Sequence, residues 1–270
     1  MAPSLPLRMT LLALAFPGQR MVQAQGVVPS PLAYSAVQLH CARFTETSHS
    51  EIETQTARGA VKATADRDGV WSFRARDSSG GIVLEAWYDS LSLRRRTAES
   101  EVVADTDGLI GGRYRGLLGP TGGYIEIARP FLPDEVAEVA ELSGATRDLL
   151  PPLPPRLLGR GESWTNAGLE LSRHPDTVVA GRPLFHFRLE ARGETSEAVL
   201  HGDTVPIPVR QTTVERGDVF WSPATGLVRR TRDITVEATI PSGGRIRQPV
   251  RSRVVQRVEL TRLPSQPACR

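Results

Sequence analysis

The chain has 270 residues, 33 of them Lys or Arg and 30 Asp or Glu, for a formal charge of +3. Two of those positive charges, Arg8 and Arg20, fall in a stretch that reads as a removable leader. The remainder therefore stands at +1 (3 minus 2), and the pI of about 9.2 gives no ground for a nucleic-acid partner. Removing 24 residues leaves 246, ample for a large core, and Lys62 is the only lysine among many arginines.

In chain order, Arg8 supplies a positive start, Met9 to Phe16 an apolar run, and Val22-Gln23-Ala24 a small-residue cleavage pattern. Residues 1–24 are thus expected to be an export signal, with the mature chain starting at or near Gln25. The apolar run is about eight residues, well below the roughly 20 needed to cross a bilayer, so no transmembrane segment is expected after cleavage. A periplasmic or secreted location follows. Residues 25–33 form a Pro-containing lead-in, residues 34–263 a single β-rich domain, and residues 264–270 a tail. The two cysteines, Cys41 and Cys269, stand near the two ends of that domain. An even count in an exported protein is compatible with a disulfide tying the termini together, and equally with two unpaired thiols.

Period-two alternation dominates the domain. Phe185, Phe187, Leu189 and Ala191 share one face against His186, Arg188, Glu190 and Arg192. Ile234, Val236, Ala238 and Ile240 oppose Asp233, Thr235, Glu237 and Thr239, while Val254, Val258 and Leu260 oppose Arg251, Arg253, Arg257 and Glu259. Such half-polar strands belong to an antiparallel sheet rather than to a parallel one buried on both faces. One hairpin can be put in register: with its loop at Ser78–Gly81, Trp71 meets Tyr88, Phe73 meets Ala86, Ala75 meets Leu84, and Arg74 meets Glu85 on the other side. A turn is expected at Asp107-Gly108, where a neighbouring Asp bonds its own backbone.

One segment reads as a helix, Pro133 to Leu142, with Pro133 at the first position, Asp134 and Glu135 in the first turn, and Val136, Val139 and Ala140 as its apolar stripe. The proline-rich connector 151–159 follows, dividing the domain into halves 34–150 and 160–263. The expected fold is mainly β: one large curved antiparallel sheet, half-barrel-like, with one short helix.

Strands, a central helix, the run Leu150-Pro151-Pro152-Leu153-Pro154-Pro155, then Gly161-Glu162-Ser163-Trp164 opening a second strand set: this order resembles bacterial envelope proteins related to the LolA, LolB and LppX-like half-barrels. The resemblance implies a sheet wrapped around an apolar hollow with helices as a lid, and a lipid or lipoprotein as partner.

Candidate chemistry is sparse. The histidines at 40, 49, 174, 186 and 201 show no metal-ligand spacing. His174-Pro175-Asp176 and His201-Gly202-Asp203 read as turns. Gly161-Glu162-Ser163 lacks the second glycine of a nucleophile elbow, and the glycines from 108 to 123 make no phosphate loop. No catalytic residue, metal or cofactor is expected, and the chain is read as a non-enzymatic protein. Arg94-Arg95-Arg96 and the row Arg245, Arg247, Arg251, Arg253 and Arg257 read as a solvated strand face among acidic neighbours. For an apolar ligand the candidate lining is Trp71, Phe73, Tyr88, Val136, Val139, Phe185 and Phe187, residues that core packing explains more simply. The functional readings are an envelope protein binding a lipid or other apolar ligand, or a structural or protein-interaction module with none.

Overall fold

A computed structural model of the chain describes residues 32–132, 136, 149–179, 181–198, 207–242 and 248–264. One short helix, α1 (Ala36–Leu39), precedes twelve strands: β1 (Arg43–Thr56), β2 (Gly59–Ser78), β3 (Gly81–Thr97), β4 (Glu101–Val103), β5 (Tyr114–Leu118), β6 (Tyr124–Ala128), β7 (Ser163–Asn166), β8 (Leu169–Val179), β9 (Arg182–Ala198), β10 (Ile207–Ser222), β11 (Gly226–Ile240) and β12 (Val250–Arg262). They form one antiparallel sheet, curved but not closed, in the order β6-β5-β3-β2-β1-β12-β11-β10-β9-β8-β7, with β4 beside the far end of β3.

This order has a consequence for the connector. The first and last strands pair at the centre of the sheet, Phe44 opposite Arg262 through Gln55 opposite Arg251. The two sheet edges are therefore β6 and β7, which are consecutive in the chain. Residues 129–162 link the two edges, and their described part from Leu149 onward lies on the core-bearing face, where Leu149, Leu150, Leu153 and Leu158 are buried. Tyr34 pins this strap by donating its hydroxyl to the Pro151 carbonyl (2.9 Å), and Leu153 N–H bonds Thr121 O (2.9 Å). At its far end Arg156 pairs with Glu162, whose carboxylate also accepts from Gly159 N–H (2.7 Å). These bonds pull the Glu162 carboxyl down to about 2.

The β2–β3 hairpin adopts the expected register, Trp71 opposite Tyr88, Phe73 opposite Ala86, Ala75 opposite Leu84 and Arg74 opposite Glu85. Gly81 opens β3 at φ +132°, a conformation that side-chain-bearing residues rarely adopt. A bulge follows where Val70 pairs with Ser90, so Asp89 is the extra residue and both Tyr88 and Leu91 turn to the core side. Opposite them, Gly69 leaves the space that the Tyr88 ring occupies: a Cβ there would lie 2.9 Å from a ring carbon.

The strands before and after the connector belong to the same sheet. Of the expected helix Pro133–Leu142, only Val136 lies among the described residues, helical and buried in the core cluster. Val139, Ala140 and Cys269 lie outside them, as do His201 and Asp203. The reading of His174-Pro175-Asp176 as a turn is corrected. These residues sit inside β8, at an irregularity between His174 and Thr177 where Pro175 needs to donate no ladder bond.

Candidate functional site: the inner face of the sheet

Calling the core-bearing side the inner face, register assigns every strand residue to one face or the other, and the inner face divides into three bands along the strands. The first band is filled. Trp71 and Tyr88 lie ring to ring (centroids 3.7 Å), Phe44 sits edge-on to Phe73 (5.5 Å), and Tyr34 edge-on to Trp221 (5.1 Å). Leu32 and Leu39 from the α1 region, Leu109, and the strap leucines complete it. Among the residues named from sequence, Trp71, Phe73, Tyr88, Val136 and Phe187 are all buried in this one cluster. Phe185 is half-buried at its rim beneath the Arg173 guanidinium (4.6 Å).

The second band is a belt of buried charge that the apolar pattern of the sequence does not reveal. Glu46, with 4% of its side chain exposed, accepts from Arg67 (2.7 Å), the Trp71 indole N–H (2.8 Å) and the Tyr88 hydroxyl (3.1 Å). Burial, and then the adjacent Glu46 carboxylate, push the Tyr88 hydroxyl well above its ordinary pKa. Across the β1–β12 seam, Glu215 accepts from Arg230 (2.9 Å) and from two nitrogens of Arg232 (both 2.8 Å). Burial pushes the Glu215 carboxyl up, but the Arg232 and Arg230 bonds and charges outweigh it, and the net is a lowered pKa. Between the two groups Gln256 donates to Ser48 (2.9 Å). A polar residue in this band fits because its donors and acceptors find partners, as a low-dielectric site demands.

The third band, toward the β1–β2 and β11–β12 turns, is open. Here the inner face of β2, β1, β12 and β11 carries Val61, Ala63, Ala65, Ile52, Thr54, Val254, Ser252, Val236, Ala238 and Ile240, and no charge. Ile52, Val254 and Val236 are half-buried, and Val61 is 54% exposed. Signals of this band were present in sequence in the Ile234–Ile240 and Val254–Leu260 alternations, but not its separation from the filled core.

The outer face contrasts with it. One row of residues, Arg94, Asp66, His49, Arg257, Asp233, Arg216 and Glu190, runs across β3, β2, β1, β12, β11, β10 and β9 with one residue from each. His49 bonds Asp66 at 2.7 Å, and nearby His186 bonds Asp218 at 2.8 Å while stacking on Phe220 (4.8 Å). Arg94 and Arg96 pair with Glu101 (3.2 and 3.0 Å), and Arg253 with Glu237 (3.5 Å). A belt of charge at this level is incompatible with the apolar outer band of a membrane-spanning barrel. Among the described residues no helix is long and apolar enough to cross a membrane either, and no group of three metal-capable side chains occurs. A cavity of about 330 Å³ opens at the same end, lined by Glu51, Glu53, Lys62, Arg96 and Arg253 from the outer face and by Ile52 and Ala63 from the inner band.

No protein-family model matches the sequence, and no curated protein matches it. Solved structures that resemble it include Neisserial surface protein A (8% identity, 82% of this chain and 97% of that one, TM-score 0.24). A DUF1329 family protein from Desulfovibrio piger is similar at 10% identity (82% and 86% covered, TM-score 0.20). A third, at 11% identity, is a domain from Vibrio parahaemolyticus described as a putative outer membrane lipoprotein-sorting protein (83% and 84% covered, TM-score 0.18). Scores this low carry no argument about what the chain does.

Proposed function

We propose that this chain is an exported, non-enzymatic β protein of the bacterial envelope, and that the open band of its inner face takes an apolar ligand such as an acyl chain or a lipoprotein anchor. The observation that carries the reading is the uncharged strip from Val61 through Ile52 and Val254 to Val236, set beside a face that is charged elsewhere. An apolar chain laid there removes half-exposed valine and isoleucine surface from water at about 25 cal/mol per Å². The belt around Glu46 and Glu215 supplies a polar stop at one end, and the leader supports export.

A second reading has its own support. The aromatic residues that would line a deep hollow are packed against one another and under the strap, which favours a structural or interaction module with no small ligand. Native mass spectrometry of protein purified from its source envelope separates the two. Co-purified lipid that is lost in Val254→Glu, with the unfolding midpoint unchanged, supports the ligand. Protein of bare mass, taking up no lipid when offered vesicles, supports the module.

A further inference from the structure

No two histidines of this chain stand at metal-ligand spacing along the sequence, but strand pairing brings two of them together on the outer face. His174 of β8 lies directly opposite His186 of β9, with ring centres 5.3 Å apart and planes tilted by 42°. That separation has a chemical meaning. Two imidazoles bound to one tetrahedral metal ion, through bonds of about 2.0 to 2.1 Å, place their ring centres about 5 Å apart.

The surroundings fix one ring and leave nitrogens available. His186 donates from Nε2 to Asp218 Oδ1 (2.8 Å), and its ring stacks on Phe220 at 4.8 Å with the planes 9° apart. With the proton held at Nε2, the neutral ring keeps its lone pair at Nδ1. A carboxylate on the far N–H is the usual companion of a metal-bound histidine, because it sets the tautomer and makes the other nitrogen more basic. Among the described residues His186 makes no other hydrogen bond, and neither nitrogen of His174 makes one. Asp218 is taken by His186 and by Arg188 (3.8 Å), so the two imidazoles are the protein's donors and water fills the remaining positions. His49 provides a contrast: it also bonds an aspartate, Asp66, but faces Arg257 on the next strand instead of a second histidine.

We propose that His174 and His186 bind a divalent first-row transition-metal ion, copper(II) most tightly, through one nitrogen each, with Asp218 as the positioning residue behind His186. Neutral imidazole donors suit copper, nickel and zinc, whereas magnesium and calcium take oxygen donors, and copper heads the affinity order. Two protein donors make an exchangeable site of micromolar strength with open positions for a further donor. The site lies on the face opposite the proposed apolar strip and stands whether or not that strip takes a ligand.

The test uses the mature chain without an affinity tag, titrated with copper(II), nickel(II) and zinc(II) chlorides by isothermal calorimetry. A single saturable site per chain is expected, tightest for copper, whose electron paramagnetic resonance spectrum should carry the splitting of two nitrogens. His174→Asn should weaken copper binding at least about tenfold, and Asp218→Asn about tenfold, while His49→Asn leaves it unchanged. The urea midpoint of each variant is measured without metal to show that it folds. Added zinc should raise the midpoint of the wild type and not that of His174→Asn, since only a native-state site stabilises by binding. Three results would each overturn the proposal: no saturable binding, copper affinity unmoved by His174→Asn, or an equal loss in His49→Asn.

Discussion

Replacing Glu46 with Gln tests whether the buried charge belt holds the sheet together. The side chain is isosteric, but the charge that offsets Arg67 is gone, and Arg67 is itself only 12% exposed. Removing one partner of a buried ion pair typically costs about 3 to 5 kcal/mol, because the other charge stays buried. An amide also presents one acceptor oxygen where the carboxylate presents two: Trp71 and Tyr88 share one carboxylate oxygen and Arg67 takes the other, so either Arg67 faces the amide NH2 or the Trp71 and Tyr88 donors lose their acceptor together, at about 1 to 3 kcal/mol more before relaxation. Against a whole-domain stability of about 5 to 15 kcal/mol, the variant should shift the urea midpoint by a large fraction of its wild-type value. The assay is urea unfolding of the mature chain followed by tryptophan fluorescence. Glu259→Gln serves as the control, since the Arg229–Glu259 pair (3.0 Å) is 46% and 37% exposed and should be worth less than about 1 kcal/mol. The double variant Glu46→Met with Arg67→Leu should recover the ion-pair part of the loss, since apolar replacement of a whole buried pair is often neutral, and keep the part due to the Trp71 N–H and Tyr88 hydroxyl left without an acceptor. Equal midpoints for Glu46→Gln and Glu259→Gln would refute the reasoning.

Other outcomes follow from the same structure. Phe73→Ala, a truncation in the filled band, should cost about 3 to 5 kcal/mol, while Arg74→Ala on the opposite face costs about 1 or less, both by urea unfolding. Gly69→Ala forces a methyl against the Tyr88 ring and should cost about 1 to 3 kcal/mol, whereas Gly123→Ala, with open space around it, should cost less. The Glu215 carboxyl has a folded pKa below its unfolded one. Its stabilisation is therefore complete above the ordinary carboxylate range and is lost as pH falls through the lowered folded value, so Glu215→Gln should flatten the acid limb of a stability–pH curve. N-terminal sequencing of exported protein should begin at or near Gln25, and intact mass with and without reductant decides between a Cys41–Cys269 bond, which adds two hydrogens on reduction, and two unpaired thiols, which add none.

How much of this was legible in the sequence depends on whether apolarity and position agreed. In the β2–β3 hairpin they did: apolar residues alternate, the loop glycines fix its length, and register followed residue by residue. In β1 they did not. Its inner face reads Phe44, Glu46, Ser48, Ser50, Ile52, so a strand at the very centre of the sheet carries almost no apolar signal. The partners that make Glu46 and Ser48 tolerable there, Arg67, Trp71, Tyr88 and Gln256, come from other strands, one of them more than two hundred residues away. Periodicity within a segment has no access to such pairings. The same limit hid the division of the inner face, because Phe187 and Val236 look alike in a strand pattern, and only the strap and the α1 region, folded over one of them, tell them apart. Pro175 misled for a local reason: a proline between His and Asp suggests a turn, while the sheet accommodates it at an irregularity in β8.

The pairing of β1 with β12 also sets an order of events. A chain emerging from its N-terminus can build β2–β3 and, later, the β8 to β12 meander from neighbours in sequence. Its first strand meanwhile waits with one edge bare until β12 arrives, roughly two hundred residues later. The seam that divides the sheet into halves is thus its slowest contact to form, closing the largest loop in the protein. Until it forms, the belt residues Glu46 and Glu215 belong to two separate sheets. Arrival of β12, rather than growth of either half, is then the moment at which the molecule acquires a single inner face.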